Sequence, residues 1–284
     1  AHFEAVAQVE SAAVYSDKWL ADRVIEEHYN VLRFVPASGV WHVWNEGRWQ
    51  KDAVNLAQFL VSQTLEKISA RLCREGSTDK EKREHLTQAR RVASAYCRDS
   101  VLKFVETDRR ITIRPEAFDG DPWVLNTPAG ILDLRTGAIG PHEPAALCSK
   151  MTAVATDAQA PHSTWTRFLT EATDHRGDVM SYLQRVAGYC LGGDTSEQAF
   201  WMIWGPGGNG KSVFLNVLTG ILGDYARTAP MDTFTSSTSD RHPTELAMLL
   251  GARLVSATET QANRRWDEAR VKGLTGGDLI SARF

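Results

Sequence analysis

The sequence is short of paired cysteines, of surplus charge and of long apolar runs, and each shortage excludes a class of protein. Its four cysteines, Cys73, Cys97, Cys148 and Cys190, include no C-x-x-C pair, which excludes a zinc ribbon and a redox dithiol. Reduced thiols in a cytosolic protein fit that spacing. Lysine plus arginine number 32 against 35 aspartate plus glutamate, for a net charge of -3, so no global basic field draws the molecule onto polyanions and any nucleic-acid contact must be local. No apolar stretch approaches the roughly 20 residues needed to cross a bilayer, and no basic segment followed by an apolar one opens the chain. A soluble protein without a membrane partner is expected. The eight histidines contain no H-x-x-x-H pair, which leaves metal hydrolysis and Ser/His catalysis without a foothold.

What is present is enough apolar material for real cores, at 43% of 284 residues. The chain opens on Ala1 rather than Met, and we expect a piece of a longer polypeptide. Three regions differ in texture. The first, 1–118, reads as mixed α+β. Aromatics alternate with polar residues over Gly39–Trp49, and Trp41-His-Val-Trp44 followed by Asn45-Glu46-Gly47 predicts a hairpin. Val54, Ala57, Val61, Leu65, Ile68 and Leu72 recur every three or four positions and predict a long helix. Arg74–Arg91 mixes six basic with four acidic side chains, the composition of a solvated helix surface rather than a nucleic-acid patch. Packing within the hairpin is the expected role of Trp41, Trp44 and Trp49, with base stacking as the alternative.

The second region, 119–195, predicts a small sheet from Trp123–Leu125 and Ile131–Leu134, turned by Gly130 and Thr136-Gly137. Helical spacing returns from Trp165, and the stripe Val179, Tyr182, Leu183, Val186, Cys190 stops at Gly192-Gly193. Asp119-Gly-Asp121 has the spacing of paired metal-binding carboxylates, but its Gly and the adjacent Pro122 mark a turn.

The third region, 196–284, alternates apolar run, glycine loop and helix, the pattern of a sheet covered by helices. Gly205-Pro206-Gly207-Gly208-Asn209-Gly210-Lys211-Ser212 matches G-x-x-x-x-G-K-[ST], between the expected strand Phe200–Trp204 and a helix running on from Val213. Glycines let consecutive backbone N–H groups turn inward around a triphosphate, and the helix N-terminus adds partial positive charge. Lys211 is the candidate for the β and γ phosphates and Ser212 for Mg²⁺. Such a site also wants an acid at the end of a neighbouring strand, and Arg253-Leu-Val-Ser-Ala-Thr-Glu259 supplies Glu259 as the metal or water-polarising residue.

Taken together, these residues resemble the superfamily 3 helicases of phage and plasmid primase-helicase proteins. The resemblance rests on Gly205–Ser212 with Gly223-Asp-Tyr-Ala226, on His242-Pro-Thr244 before Leu246-Ala247, on Arg253–Glu259, and on Lys272-x-Leu274-Thr-Gly-Gly-Asp278-x-Ile280-x-x-Arg283. Upstream, Asn126-x-x-x-Gly130-Ile-Leu-Asp-Leu-Arg-Thr-Gly137 and Tyr182-Leu-Gln-Arg185-x-x-Gly188-Tyr-Cys-Leu191 are similar to the domain preceding the helicase there. The resemblance implies an α/β P-loop NTPase core of the AAA+ type, incomplete in this chain, behind a mixed α+β and helical N-terminal region. It further implies ATP and Mg²⁺ held at Gly205 through Val213, a hexamer, and single-stranded or forked DNA contacted near Lys272 and Arg283. A primase domain or an origin-binding partner, and residence in a bacterial or phage-infected cytoplasm, follow from the same likeness. Two departures stand out. Thr260 and Gln261 follow Glu259 where many members carry a second acid, and the sensor Asn and arginine finger are not reached by Phe284. The alternative reading is an ATP-binding assembly or initiator module that oligomerises near DNA without efficient hydrolysis.

Overall fold

A computed structural model describes residues 13–236, 248–257 and 265–276. It divides into two units, 1–118 and 119–284. Both mix helices with small sheets, a mixed α/β architecture.

In the first unit, helix α1 (Asp17–His28) begins where Ser16 Oγ accepts the amide of Trp19, a hydroxyl cap on one of the unpaired first-turn N–H groups. Strands β1 (Leu32–Val35), β2 (Val40–Asn45) and β3 (Arg48–Lys51) form an antiparallel sheet in that order. The β2–β3 hairpin pairs Asn45 with Arg48, and the two residues between them, Glu46 and Gly47, have φ of 48° and 78°. Positive φ at both central positions matches the twist of a tight hairpin, and Gly takes it without steric cost. The expected hairpin is present. Trp41 and Trp49 are buried, and Trp49 meets Trp44 edge-on at 5.6 Å.

Helix α2 (Leu56–Leu72) turns Ala57, Val61, Leu65 and Leu72 inward, as its spacing predicts. Its first turn is capped from outside, since the Asp52 carboxylate accepts the amides of Leu56 and Ala57 at 2.8 and 2.9 Å. Helix α3 (Asp79–Val92) starts in a reciprocal Thr78/Glu81 capping box and buries only Ala89 and Val92. The Arg74–Arg91 charges therefore lie on a solvated face. Helix α4 (Ala95–Thr107) adds Cys97, Val101 and Val105 to a core shared with Leu20, Val24, Ile25 and Ile111. Each fully buried Leu, Ile or Val contributes about 1.5–3 kcal/mol relative to exposure.

In the second unit, β4 (Val124–Thr127), β5 (Gly130–Asp133) and β6 (Ile139–Gly140) form an antiparallel meander. Helices α5 (Ser163–Ala172) and α6 (Gly177–Tyr189) follow, then α7 (Lys211–Leu222). Strands β7 (Ala226–Thr228) and β8 (Leu254–Ser256) pair in parallel, Ala226 opposite Leu254, and α8 (Glu268–Gly276) is the last element among the described residues. The core gathers Leu125, Val186, Cys190, Leu222, Tyr225 and Ala226.

One expectation needs correcting. Phe200–Trp204, read as the strand that enters the glycine loop, is not a strand. A strand requires a neighbouring edge with which to exchange backbone hydrogen bonds, and among the described residues β8 pairs with β7 instead. Phe200, Met202 and Trp204 are accordingly exposed, Trp204 to 84%.

Candidate functional site

The glycine loop runs from Gly205 to the first turn of α7. Gly208 and Gly210 hold φ of 76° and 82°, left-handed values that a side chain adopts only with strain. Gly210 is also the residue from which α7 starts, and no side chain caps that helix. Phe214 N donates to Gly210 O at 2.9 Å, leaving the amides of Lys211, Ser212 and Val213 as the uncompensated first-turn donors. Helix N-termini of this kind favour anions through both direct N–H donors and the helix dipole.

Lys211 turns back into the loop. Its Nζ donates to Gly205 O and Pro206 O, each at 2.9 Å, and to Asn209 Oδ1 at 2.6 Å. An ammonium has three donors, and the loop's own oxygens meet all of them. A Cβ at Gly205 would stand 2.5 Å from Asn209 Nδ2, so any larger residue there would push the Asn209 amide aside. A Cβ at Gly207 or Gly208 would meet open space, so the middle of the loop is uncrowded. The donor set, an uncrowded turn, an inward lysine and a hydroxyl at Ser212, fits a polyphosphate with its cation. Among the described residues no group of three or more His, Cys, Asp or Glu forms a metal cluster.

Two aromatic side chains that sequence reading missed complete the surroundings. Trp165 of α5 stacks on Phe214 of α7 with centroids 5.9 Å apart and planes 15° from parallel. Phe168, one turn on, lies against Gly210 so closely that a Cβ there would be 2.8 Å from its ring. Their spacing of three marks a helix face, which is the only signal the sequence offered.

Residues 119–153 tie the end of α7 and β8 into the same unit. Ala153 N donates to Ile221 O at 3.0 Å, Asp224 N to Met151 O at 3.1 Å, and Met151 N to Asp224 Oδ2 at 3.2 Å. Asp119 is occupied structurally: its carboxylate accepts from Ser149 and from Lys150 Nζ at 3.2 Å. Arg253, beside β8, donates to Leu191 O and Val124 O.

Of the other candidates, Lys272 is exposed on α8. Glu259, His242-Pro-Thr244, Asp278 and Arg283 lie outside the described residues. The structure brings Gly205–Val213 together at the start of α7.

Comparison with known proteins gives two findings. Residues 18–174, more than half the chain, match the family described as D5 N terminal like. A protein of Acanthamoeba polyphaga mimivirus named "Putative helicase L207/L206" is 35% identical over 109 residues, a stretch covering 37% of this chain and 11% of that relative. The match thus spans a small part of the viral protein's length. Among the described residues, no helix is long and apolar enough to cross a membrane.

Proposed function

The chain belongs to the D5 N-terminal-like family, and on that premise we propose that it is part of an ATP-dependent DNA helicase module of the phage or plasmid primase-helicase kind, acting in DNA replication. The family and the helicase-named viral relative support a replication role related to primase-helicases. The observation that carries the nucleotide part is the G-x-x-x-x-G-K-S loop running into an uncapped helix with its lysine turned inward. The loop begins at Gly205, beyond the family match that ends at residue 174.

In this reading the amides from Gly207 to Val213 face the phosphates, and Lys211 exchanges its contacts with Gly205 and Pro206 for phosphate oxygens. Ser212 Oγ holds Mg²⁺, and Glu259 orients water or the metal. Bound Mg-ATP supplies the free energy of phosphoryl transfer. Lys272 and Arg283 lead toward DNA, whose backbone attracts local cations despite the net charge of -3. A homohexamer, with a primase domain or origin-binding partner in the longer protein, completes the proposal.

Calorimetric titration of Mg-ATP into the 284-residue chain tests the site. Lys211→Ala should weaken binding about tenfold or more, since a hydrogen bond to a charged group contributes about 1.5–3 kcal/mol. Equal affinity in wild type and variant would overturn the assignment. ATP hydrolysis stimulated by single-stranded DNA, in a version extended past Phe284, supports the helicase. ATP-dependent oligomerisation without turnover would favour the assembly module instead, a reading to which the Glu259-Thr260-Gln261 sequence lends weight.

A further inference from the structure

We propose that Phe168 and Trp165 are positioning residues that set the Gly210–Lys211 backbone in its phosphate-facing conformation, so that α5 controls nucleotide affinity without touching nucleotide. The inference rests on the nucleotide-binding reading above and assigns it a control element inside the family-matched region, since α5 lies within residues 18–174.

The φ of 82° at Gly210 aims the next peptide, and therefore the first N–H of α7 and the start of the Lys211 side chain. A glycine can visit many conformations, so something must hold this one. Helix α7 has no side-chain cap. What does lie on Gly210 is the Phe168 ring, with Cε2 and Cζ at 2.8 and 3.1 Å from an ideal Cβ position, flanked by the Ala172 methyl at 3.3 Å. The ring leaves the glycine no room to turn toward α5. Trp165 fixes that ring in turn, its centroid 5.2 Å from Phe168 and 5.9 Å from Phe214. Ring against ring against α7 makes a continuous wedge, and offset aromatic pairs of this type contribute about 0.5–1.5 kcal/mol each beyond their burial.

The wedge lies apart from the main core of the second unit. The core of Leu125, Val186, Cys190, Leu222, Tyr225 and Ala226 includes neither Trp165 nor Phe168. On α5 only Leu169 is fully buried, and Ser163, Thr166, Arg167 and Glu171 face solvent. Trimming Phe168 should therefore loosen α5 from the loop and spare the fold. A loop held in its binding geometry costs less to order when ligand arrives.

The test uses the 284-residue chain, Mg-ATP, calorimetry and circular dichroism. Phe168→Ala should bind Mg-ATP about tenfold more weakly with unchanged circular dichroism, whereas Phe168→Met, which refills the volume with a flexible side chain, should recover most of the affinity. Trp165→Ala, which leaves the Phe168 ring unsupported, should also weaken binding, whereas Trp165→Phe, which keeps a ring there, should bind close to wild type. Wild-type affinity in Phe168→Ala, or no recovery in Phe168→Met, would overturn the positioning role while leaving the nucleotide site intact. No binding by the wild-type chain would instead overturn the nucleotide site itself.

Discussion

Arg253 lies over the ring of Tyr225, its guanidinium carbon 4.4 Å from the centroid. From there it donates to Leu191 O at 2.5 Å and Val124 O at 2.6 Å, joining the end of α6 and the start of β4 to the strand it precedes. Burial pushes the guanidinium below its ordinary value, while Tyr225 and Asp119 act in the other direction. A planar fork and a flat cation are what this site uses, and lysine has neither. Arg253→Lys should therefore fail to rescue. Both Arg253→Lys and Arg253→Met should cost the second unit about 2–4 kcal/mol, the sum of stranded carbonyls and a lost cation–π contact. Urea denaturation checks this, and a lysine variant within experimental error of wild type would sink it.

His28 gives the first unit a pH dependence. Thr64 Oγ1 donates to Glu27 at 2.8 Å, so its single proton is taken and it accepts from His28 Nε2 at 2.9 Å. Burial holds His28 below the ordinary histidine value, Glu27 opposes and Lys67 adds to the depression. His42, in the same unit, is also depressed by burial, against the backbone of Val40. A histidine whose folded value lies below its unfolded one binds more protons when unfolded, so stability is lost as pH falls through about 6.5. The first unit should lose stability between pH 7 and 5, above the range where unfolded carboxylates titrate. His28→Gln should flatten part of that slope, and an unchanged slope would exclude His28 as its source.

How far the sequence carried the structure depended on whether the deciding interaction was local. The Trp41–Trp49 hairpin was readable because alternation and Glu46-Gly47 are adjacent in the chain. The α2 face was readable because helix periodicity is itself a sequence pattern. Phe200–Trp204 was misread because being a strand requires a partner edge, and apolar content does not say which edges are free. At the site, the string Gly205–Ser212 announces a loop and a helix start, both of which are present. Phe168 was invisible there, because its contact with Gly210 depends on the path of the chain between them. Arg253 was readable only as the opening of a strand, since its acceptors are carbonyls and every residue has one.

Glycine substitutions in the β4–β6 meander separate crowding from backbone strain. Gly130 and Gly137 both have positive φ, 134° and 74°. A Cβ at Gly130 would stand 2.3 Å from Gly140 O on the paired strand, whereas one at Gly137 meets nothing within 4 Å. Gly137→Ala should cost only the left-handed strain, about 1 kcal/mol. Gly130→Ala adds a collision with backbone that no rotamer relieves and should cost several-fold more. Comparable losses of stability in the two variants would refute the assignment of crowding to Gly130.

The four thiols should differ in reactivity chiefly through burial. Cys73 is exposed, while Cys97, Cys148 and Cys190 are buried. Burial pushes Cys97 up to about 11, with Asp17 adding and Arg91 opposing, and pushes Cys148 up to about 12. Cys190 is raised by burial too. Only thiolate attacks an alkylating agent, so at pH 8 the Cys97 thiolate is about a thousandth of that thiol, and steric protection slows it further. Native protein exposed briefly to iodoacetamide should carry its label on Cys73, with the other three modified only after denaturant opens their units. Because unfolding returns these thiols to about 8.5, stability should also decline as pH rises beyond that value. Peptide mapping by mass spectrometry reads the outcome, and labelling of Cys148 at the Cys73 rate in native protein would show that its burial is not maintained in solution.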